Sequence, residues 1–465
     1  MNSLEHYLRG LFSNSAKIHN IDTGVEISCA QAFQKSFDRS LEIKREIPSS
    51  EQRFIYIHED DKINFIIDFF SVILAGHIAT PVVREWGEVT KENIDKRLKP
   101  VSEIKNGNIF NVKTDTDRHD MKLPKGCSVA LHSSGTTSTP KTILHNIEAL
   151  IGNAESLASS LENSESDKHL CVLPLSHAHG LGFGMLSSLF LGSDLYLSNF
   201  TSPQKWVSDI DNYKITITSL VPPLVKILTE QRRTSDLRTL RYLLVSSSKL
   251  SKSTAFEFAE RYKTPIAHGW GQSELSNFVT CTPPLEANEI SKFENSVSVG
   301  FPIHGCDVSL RESMIYVSSP YSCRCIISDE GYSFPGTWHF TGDTGKEDYR
   351  GLFIEDRIGD VITRGAIKHS PAQLEDQVAR KVSSVKKCVA MRVATQDEED
   401  KLVLYIVLRE GVDNRRSVKL QVRESLSKIL LPDEIFIGDE STIPRTQTGK
   451  VMKDKLAKHL MGAFA

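Results

Sequence analysis

Ser133-Ser134-Gly135-Thr136-Thr137-Ser138-Thr139-Pro140-Lys141 constrains what this chain can fold into more than any other stretch. The mostly apolar run Cys127-Ser128-Val129-Ala130-Leu131-His132 just before it predicts a short strand, so the hydroxyl-rich segment is a turn at a strand end. Hydroxyls and free backbone N–H groups in such a turn form a nest for phosphate oxygens, and a Lys beside them supplies a point charge. Gly135, Lys141 and Thr142 fall at Walker spacing, but Pro140 replaces the glycine before the Lys and removes an N–H that pattern uses. Taken alone, the stretch also reads as a Ser/Thr-rich surface loop.

The rest of the chain weighs on that choice. At 465 residues, two or three domains are expected. A hydrophobic content of 39% and a charged content of 25% are those of a globular protein. The net charge of -3 gives no electrostatic case for nucleic acid. Eight cysteines without a CxxC pair argue against metal and disulfide frameworks, and predict reduced, mostly buried thiols in a cytoplasmic protein. Glu5 and the lack of a continuous apolar core near the start predict no secretory signal. The longest apolar stretch, 63–83, is interrupted by Asp68 and His77 and punctuated by Gly76 and Pro81; it predicts a buried helix over 63–75 and then a strand, not a membrane span.

Short apolar runs of strand length recur between helix-like segments, at 54–57, 80–83, 171–175, 195–197, 215–221 and 243–245. This alternation predicts an α/β fold, with a large N-terminal domain of layered, mainly parallel sheets. Over 297–338 the text changes to short strands and turns, which predicts a small β-rich subdomain. After Gly359 comes a fresh start: helix 371–382, strand 387–393, strand 402–408 and helix 417–429, a compact α+β unit.

Further segments carry chemistry. They are Pro174-Leu175-Ser176-His177 at a strand end, His268-Gly269-Trp270-Gly271-Gln272-Ser273-Glu274 after the strand at 265–267, and Phe340-Thr341-Gly342-Asp343, which predicts a carboxylate on a tight turn. Asp356-Arg357-Ile358-Gly359-Asp360 lies at the expected domain boundary, and Pro444-Arg445-Thr446-Gln447-Thr448-Gly449-Lys450 ends on a Gly turn. In this order the segments resemble the adenylate-forming (AMP-binding) superfamily: acyl- and aryl-CoA ligases, stand-alone adenylation domains and luciferases. The resemblance runs from about Ile57 to Leu456.

The resemblance implies an adenylation core over 1–357, with phosphate loop, acyl pocket and ribose site, and a mobile lid domain over 358–465. It implies an ATP- and Mg²⁺-dependent ligase for a small carboxylic acid, forming acyl-AMP, releasing pyrophosphate and passing the acyl group to the phosphopantetheine thiol of CoA or of a carrier protein. Ser133, Ser134, Gly135, Thr136, Thr137 and Lys141 match the phosphate loop; Glu274 matches the magnesium-binding Glu, with Ser273 where Thr is usual. His268, Gly269 and Trp270 belong to the nucleotide side, Trp270 standing where Tyr packs beside the adenine. Asp343 matches the ribose-binding Asp, Arg357 the Arg that assists it, and Lys450 the catalytic Lys that bridges the substrate carboxylate and the α-phosphate. His177 matches the catalytic and acid-pocket His of acyl- and aryl-acid ligases, and the missing Asp at this segment disfavours an α-amino acid. His179 is expected to be structural or gating.

Departures from the pattern set further expectations. Ser138 and Thr142 stand where glycine is usual, which stiffens the loop and leaves its donors. Ser246-Ser247-Ser248 replace the usual Ser-Gly-Ala of the acid pocket, so a short or polar acid is expected. The hinge position falls on Gly359, which tolerates large backbone rotations. Ala366 replaces a glycine along which pantetheine passes, which bears on the use of free CoA. An adenylate-forming enzyme without a thioester step and a non-catalytic nucleotide-binding homologue are the alternatives.

Overall fold

The structure, a computed structural model, describes residues 3–48, 51–58, 61–84, 86–112, 123–133, 140–231, 236–364, 367–393, 401–412, 414–427, 430–446, 449 and 451–462. Two large sheets carry most of the chain, as the alternation predicts. The nine-stranded sheet is parallel inside, through Lys17–Asn20, Asp194–Leu197, Lys168–Cys171, Ile217–Leu220, Tyr242–Val245 and Ile266–Trp270, and antiparallel at both edges. The eight-stranded sheet is parallel through Val129–His132, Ile78–Pro81, Phe54–Ile57 and Ser102–Lys105, and then extended by antiparallel strands on each side.

The 63–83 stretch forms the helix Lys62–Ala75 followed by the strand Ile78–Pro81. A helix apolar all round must be covered on every side, and this one is buried along nearly its whole length. Asp61 caps its N-terminus by accepting from Asn64 N–H at 2.8 Å, and Gly76 ends it in the left-handed region at φ 89°. Asp68, the charge inside it, is answered by Arg39 from the helix Cys29–Glu46. No described helix is long and apolar enough to cross a membrane. All eight cysteines are free and buried.

Three expectations are corrected. The strand expected over 171–175 is instead Lys168–Cys171. Pro174 has no N–H for a ladder, and buried Lys62 takes the carbonyls of Leu173 at 3.1 Å and Ser198 at 2.7 Å. The β-rich stretch 297–338 is β as predicted but is shared out: Phe301–Pro302 edges the nine-stranded sheet and Cys325–Ser328 with Gly331–Ser333 extends the eight-stranded one. Asp307–Arg311 and Met314–Ser318 join His339–Asp348 and Gly351–Arg357 in a four-stranded sheet. Asp343 therefore lies inside a strand rather than on a tight turn, at a bulge where the register with the partner strand shifts between Asp343 and Gly345.

The last part of the chain builds its own sheet, Val385–Val393, Lys401–Leu408 and Glu434–Ile437, flanked by the helices Pro371–Lys381 and Arg415–Ser425 around a core that includes Leu374, Val378, Leu404, Ile406 and Val422. It meets the larger part at a crevice lined by Lys249 and Glu355 on one side and Ser370 and Arg380 on the other.

Candidate active site

Parallel strands leave a crevice beyond their carboxyl ends where loops of different origin meet. Here His177 follows Lys168–Cys171, Pro222 and Pro223 follow Ile217–Leu220, Ser246 to Ser248 follow Tyr242–Val245, and Gln272 to Glu274 follow Ile266–Trp270. Ser133 follows Val129–His132 of the other sheet.

The most completely built group is around Asp343. Asp343 is 4% exposed, and its carboxylate accepts from Arg357 Nε at 2.9 Å, Trp270 Nε1 at 3.1 Å and Gln272 Nε2 at 3.0 Å. Gln272 Nε2 also donates to the Thr341 carbonyl at 2.8 Å, and Thr341 Oγ1 accepts from Asp343 N–H at 3.1 Å. Arg357 is the direct cross-strand partner of Asp343. Burial works against the Arg357 charge, but Asp343, Glu274 and Asp360 together hold its pKa above the usual value. A cleft of about 240 Å³ opens here, lined by Ser247, Ser248, His268, Gly269, Trp270, Asp343 and Arg357 among others. Ser247 and Ser248, expected in the acid pocket, thus share a cleft with the residues expected on the nucleotide side. Ser247 adopts φ 78°, a left-handed conformation that favours glycine, at the position where the family pattern has one. His268 donates from Nδ1 to the Ser298 carbonyl at 2.8 Å, and burial lowers its pKa.

Ser246 turns away from that cleft. Its hydroxyl is 2.9 Å from His179 Nδ1, and the imidazole lies edge-on to Phe278 at 5.4 Å. Burial, with the charge of His177 added, pushes the His179 pKa down to about 3, so the ring is neutral. His177 is half-buried, and its charge is also felt by His132.

Glu274 lies in the single turn Ser273–Leu275. Its carbonyl accepts from Cys323 N–H at 2.8 Å, and the Ser273 carbonyl accepts from His145 Nε2 at 2.8 Å. Gly271 lets this segment close up: a Cβ there would stand 1.7 Å from the Asn277 carbonyl oxygen. Burial lowers the pKa of His339; Glu274 opposes that and Lys141 adds to it. Lys141, Glu274, His339 and Arg357 therefore share one electrostatic neighbourhood. Ser133 and Lys141 clasp each other, with Ser133 N–H donating to the Lys141 carbonyl at 2.9 Å and Lys141 N–H donating to Ser133 Oγ at 3.1 Å.

Ser134, Gly135, Thr136, Thr137 and Lys450 lie outside the described residues, as does Ala366. Gly449, just before Lys450, has φ 74°, and a Cβ on it would stand 2.5 Å from Pro223 Cγ. Arg445 ties this hairpin by pairing with Val451 and donating to the Gly449 carbonyl at 3.0 Å. Gly359 follows the strand Gly351–Arg357 with open space where a Cβ would be. Among the described residues no cluster of three or more His, Cys, Asp or Glu forms a metal site. Motif reading passes over Gln272 and His339: Gln272 lies inside one of the motifs and His339 immediately before one.

A family model described as AMP-binding enzyme matches residues 49–317. The chain belongs to the AMP-binding enzyme family. This AMP-binding enzyme is 26% identical over 366 residues to a probable CoA ligase of Humulus lupulus, covering 74% of this chain and 68% of that one. It is 25% identical over 359 residues to an oxalate–CoA ligase of Arabidopsis thaliana, covering 73% of this chain and 68% of that one. Both relatives are named as CoA ligases, the first as a probable one. The fold is that of ATP-bound MatB from Rhodopseudomonas palustris, with a TM-score of 0.81 at 18% identity over 100% of both chains.

Proposed function

We propose that this AMP-binding enzyme activates a short or polar carboxylic acid with ATP and passes the acyl group to a phosphopantetheine thiol, on CoA or a carrier protein. The single observation that carries this reading is the carboxylate of Asp343, fixed by Arg357, Trp270 and Gln272 at the floor of the cleft. A carboxylate offers about four lone-pair positions and these donors occupy three, so it retains capacity to accept from a ribose hydroxyl. Trp270, Ser247 and Ser248 bound the space beside it where a base would lie.

In the first half-reaction an oxygen of the acid attacks the α-phosphorus, the bond to the bridging oxygen breaks and pyrophosphate leaves. Negative charge gathers on phosphoryl oxygens, so positioning and fixed positive charge do most of the work. Lys141 and the donors of 133–141 take the outer phosphates, and Lys450 bridges the acid and the α-phosphate. Glu274 is the residue that would hold Mg²⁺, a hard cation suited to carboxylate oxygen, and the ion would supply neutralisation of phosphate charge. In the second half-reaction a thiolate sulfur attacks the acyl carbonyl and AMP leaves. Residues 358–465 form a lid that turns about Gly359 between the two steps. Ser247 and Ser248, standing where the family pattern has glycine and alanine, add hydroxyls to the cleft lining, which supports a small polar acid over a long chain.

ATP–pyrophosphate exchange across short aliphatic, hydroxylated, dicarboxylic, aryl and amino acids tests this, with oxalate included because one relative's name carries it. Exchange with a short or polar acid, followed by CoA-dependent AMP release, is expected. Exchange without any thiol-dependent turnover favours a ligase lacking the thioester step. ATP binding with no exchange in any class overturns the proposal.

A further inference from the structure

We infer that Arg97 is a positioning residue for Lys141. The inference rests on the reading of Lys141 as a phosphate-binding group. Arg97 lies on the helix Glu88–Leu98, with its side chain only 9% exposed. One arm of its guanidinium pairs with Asp329 at 3.1 Å, on the turn between Cys325–Ser328 and Gly331–Ser333. The other arm donates to the Pro140 carbonyl and, at 3.3 Å, to Thr142 Oγ1. Pro140 and Thr142 are the residues on either side of Lys141. Thr142 Oγ1 is also 3.3 Å from His132 Nδ1, on a ring that burial pushes down to a pKa of about 3 and so keeps neutral.

Lys141 is thus gripped along its backbone from two directions, by Ser133 on one side and through both neighbours by Arg97 on the other. Its side chain is exposed, and its charge reaches His339 in the neighbourhood of Glu274. An ammonium on a four-carbon stem loses rotamer freedom when it finds a phosphate, and a fixed backbone narrows the search beforehand. The geometry calls for Arg in particular. A planar fork engages a carboxylate, a carbonyl and a hydroxyl together, whereas a Lys ammonium is a single point. The hydroxyl that Arg97 grips belongs to Thr142, where the family pattern has a glycine with no side chain. The departure at 142 and the presence of Arg97 are two halves of one anchor.

The test is equilibrium binding of ATP and of AMP, both with Mg²⁺, to the full chain and its variants. AMP lacks the outer phosphates and so reports on the rest of the site. Arg97→Gln should weaken ATP by about tenfold, Arg97→Lys by nearly as much, and AMP should stay within about twofold. Lys141→Ala should weaken ATP alone, and Arg97→Gln should add little on that background because both act through one contact. ATP binding unchanged in Arg97→Gln, equal losses for ATP and AMP, or a full further tenfold loss on top of Lys141→Ala would each overturn the inference. Unchanged ATP binding in Lys141→Ala would instead remove the phosphate reading of that lysine, and the inference with it.

Discussion

Asp343 shows how much one side chain can hold. Its donors come from the adjacent strand, from the end of Ile266–Trp270 and from the segment after it, so removing its charge unpairs Arg357 and leaves two N–H groups facing an amide. Asp343→Asn should weaken ATP and AMP equally, by about 10² or more, since a buried charge-assisted group is lost and the ribose is common to both. Equal binding to wild type would sink the ribose assignment; a loss confined to ATP would move Asp343 to the phosphates. Much at this scale was legible beforehand. Asp343, Arg357 and Trp270 stand in three separate motifs, and the fold brings them to one carboxylate; Glu274 lies near enough for its charge to bear on Arg357. Gln272, the third donor to that carboxylate, carries no such signal, because a hydrogen-bond partner is set by the pairing of distant strands. A serine at 247 predicts a smaller pocket, and the fold adds that its backbone is left-handed there, a local strain.

At the scale of elements, apolar runs place the strands and the helices near 63–75, 371–382 and 417–429 to within a few residues, since runs of strand length between Pro and Gly have few other uses; the remaining helices are visible only in the fold. Edges and allegiance were harder. A Thr-Gly-Asp run has the same local preferences in a turn as in a bulge, and only the strands on both sides of His339–Asp348 decide between them. The 297–338 stretch was legible as β, but which sheet each strand joins depends on partners far away in sequence. The hairpin around Gly449 gives a test that belongs here. Gly449→Ala would add strain at φ 74° and drive a methyl into the Pro223 ring, which is covalently fixed and yields little. Acyl-adenylate formation should fall about tenfold or more, with the melting temperature nearly unchanged, because the cost is a displaced hairpin. Shrinking the obstacle with Pro223→Ala should restore part of the rate. Wild-type exchange in Gly449→Ala would show that the hairpin's seat on Pro223 is irrelevant to the chemistry.

For the whole molecule, buried histidines set the response to acid. Burial pushes His132, His169 and His179 down to a pKa of about 3 and His145 to about 4, all from an ordinary 6.5. A depressed folded-state pKa contributes stability that is present above pH 6.5 and is lost as the pH falls, because the unfolded chain takes up protons first. At pH 5.5 each such histidine costs about 1.4 kcal/mol, so the four together cost roughly 6 kcal/mol. Asp68, raised to about 6 by burial against the pull of Arg39, works the other way and returns roughly 1 kcal/mol at that pH. Urea midpoints should therefore drop steeply between pH 7.5 and 5.5; a flat profile would mean that these rings are protonated in the folded state or wetter than the fold implies.

The hairpin Cys325–Ser333 has a consequence for how such a molecule is made. Cys325–Ser328 covers the outer edge of Thr142–His145, the strand that carries the lysine's neighbour, and Asp329 at its turn holds Arg97. A growing chain exposes that edge on the ribosome, with its backbone unpaired, until residue 328 has emerged. Nucleotide therefore has no finished seat on nascent protein, because the outer edge of Thr142–His145 waits on a strand made much later.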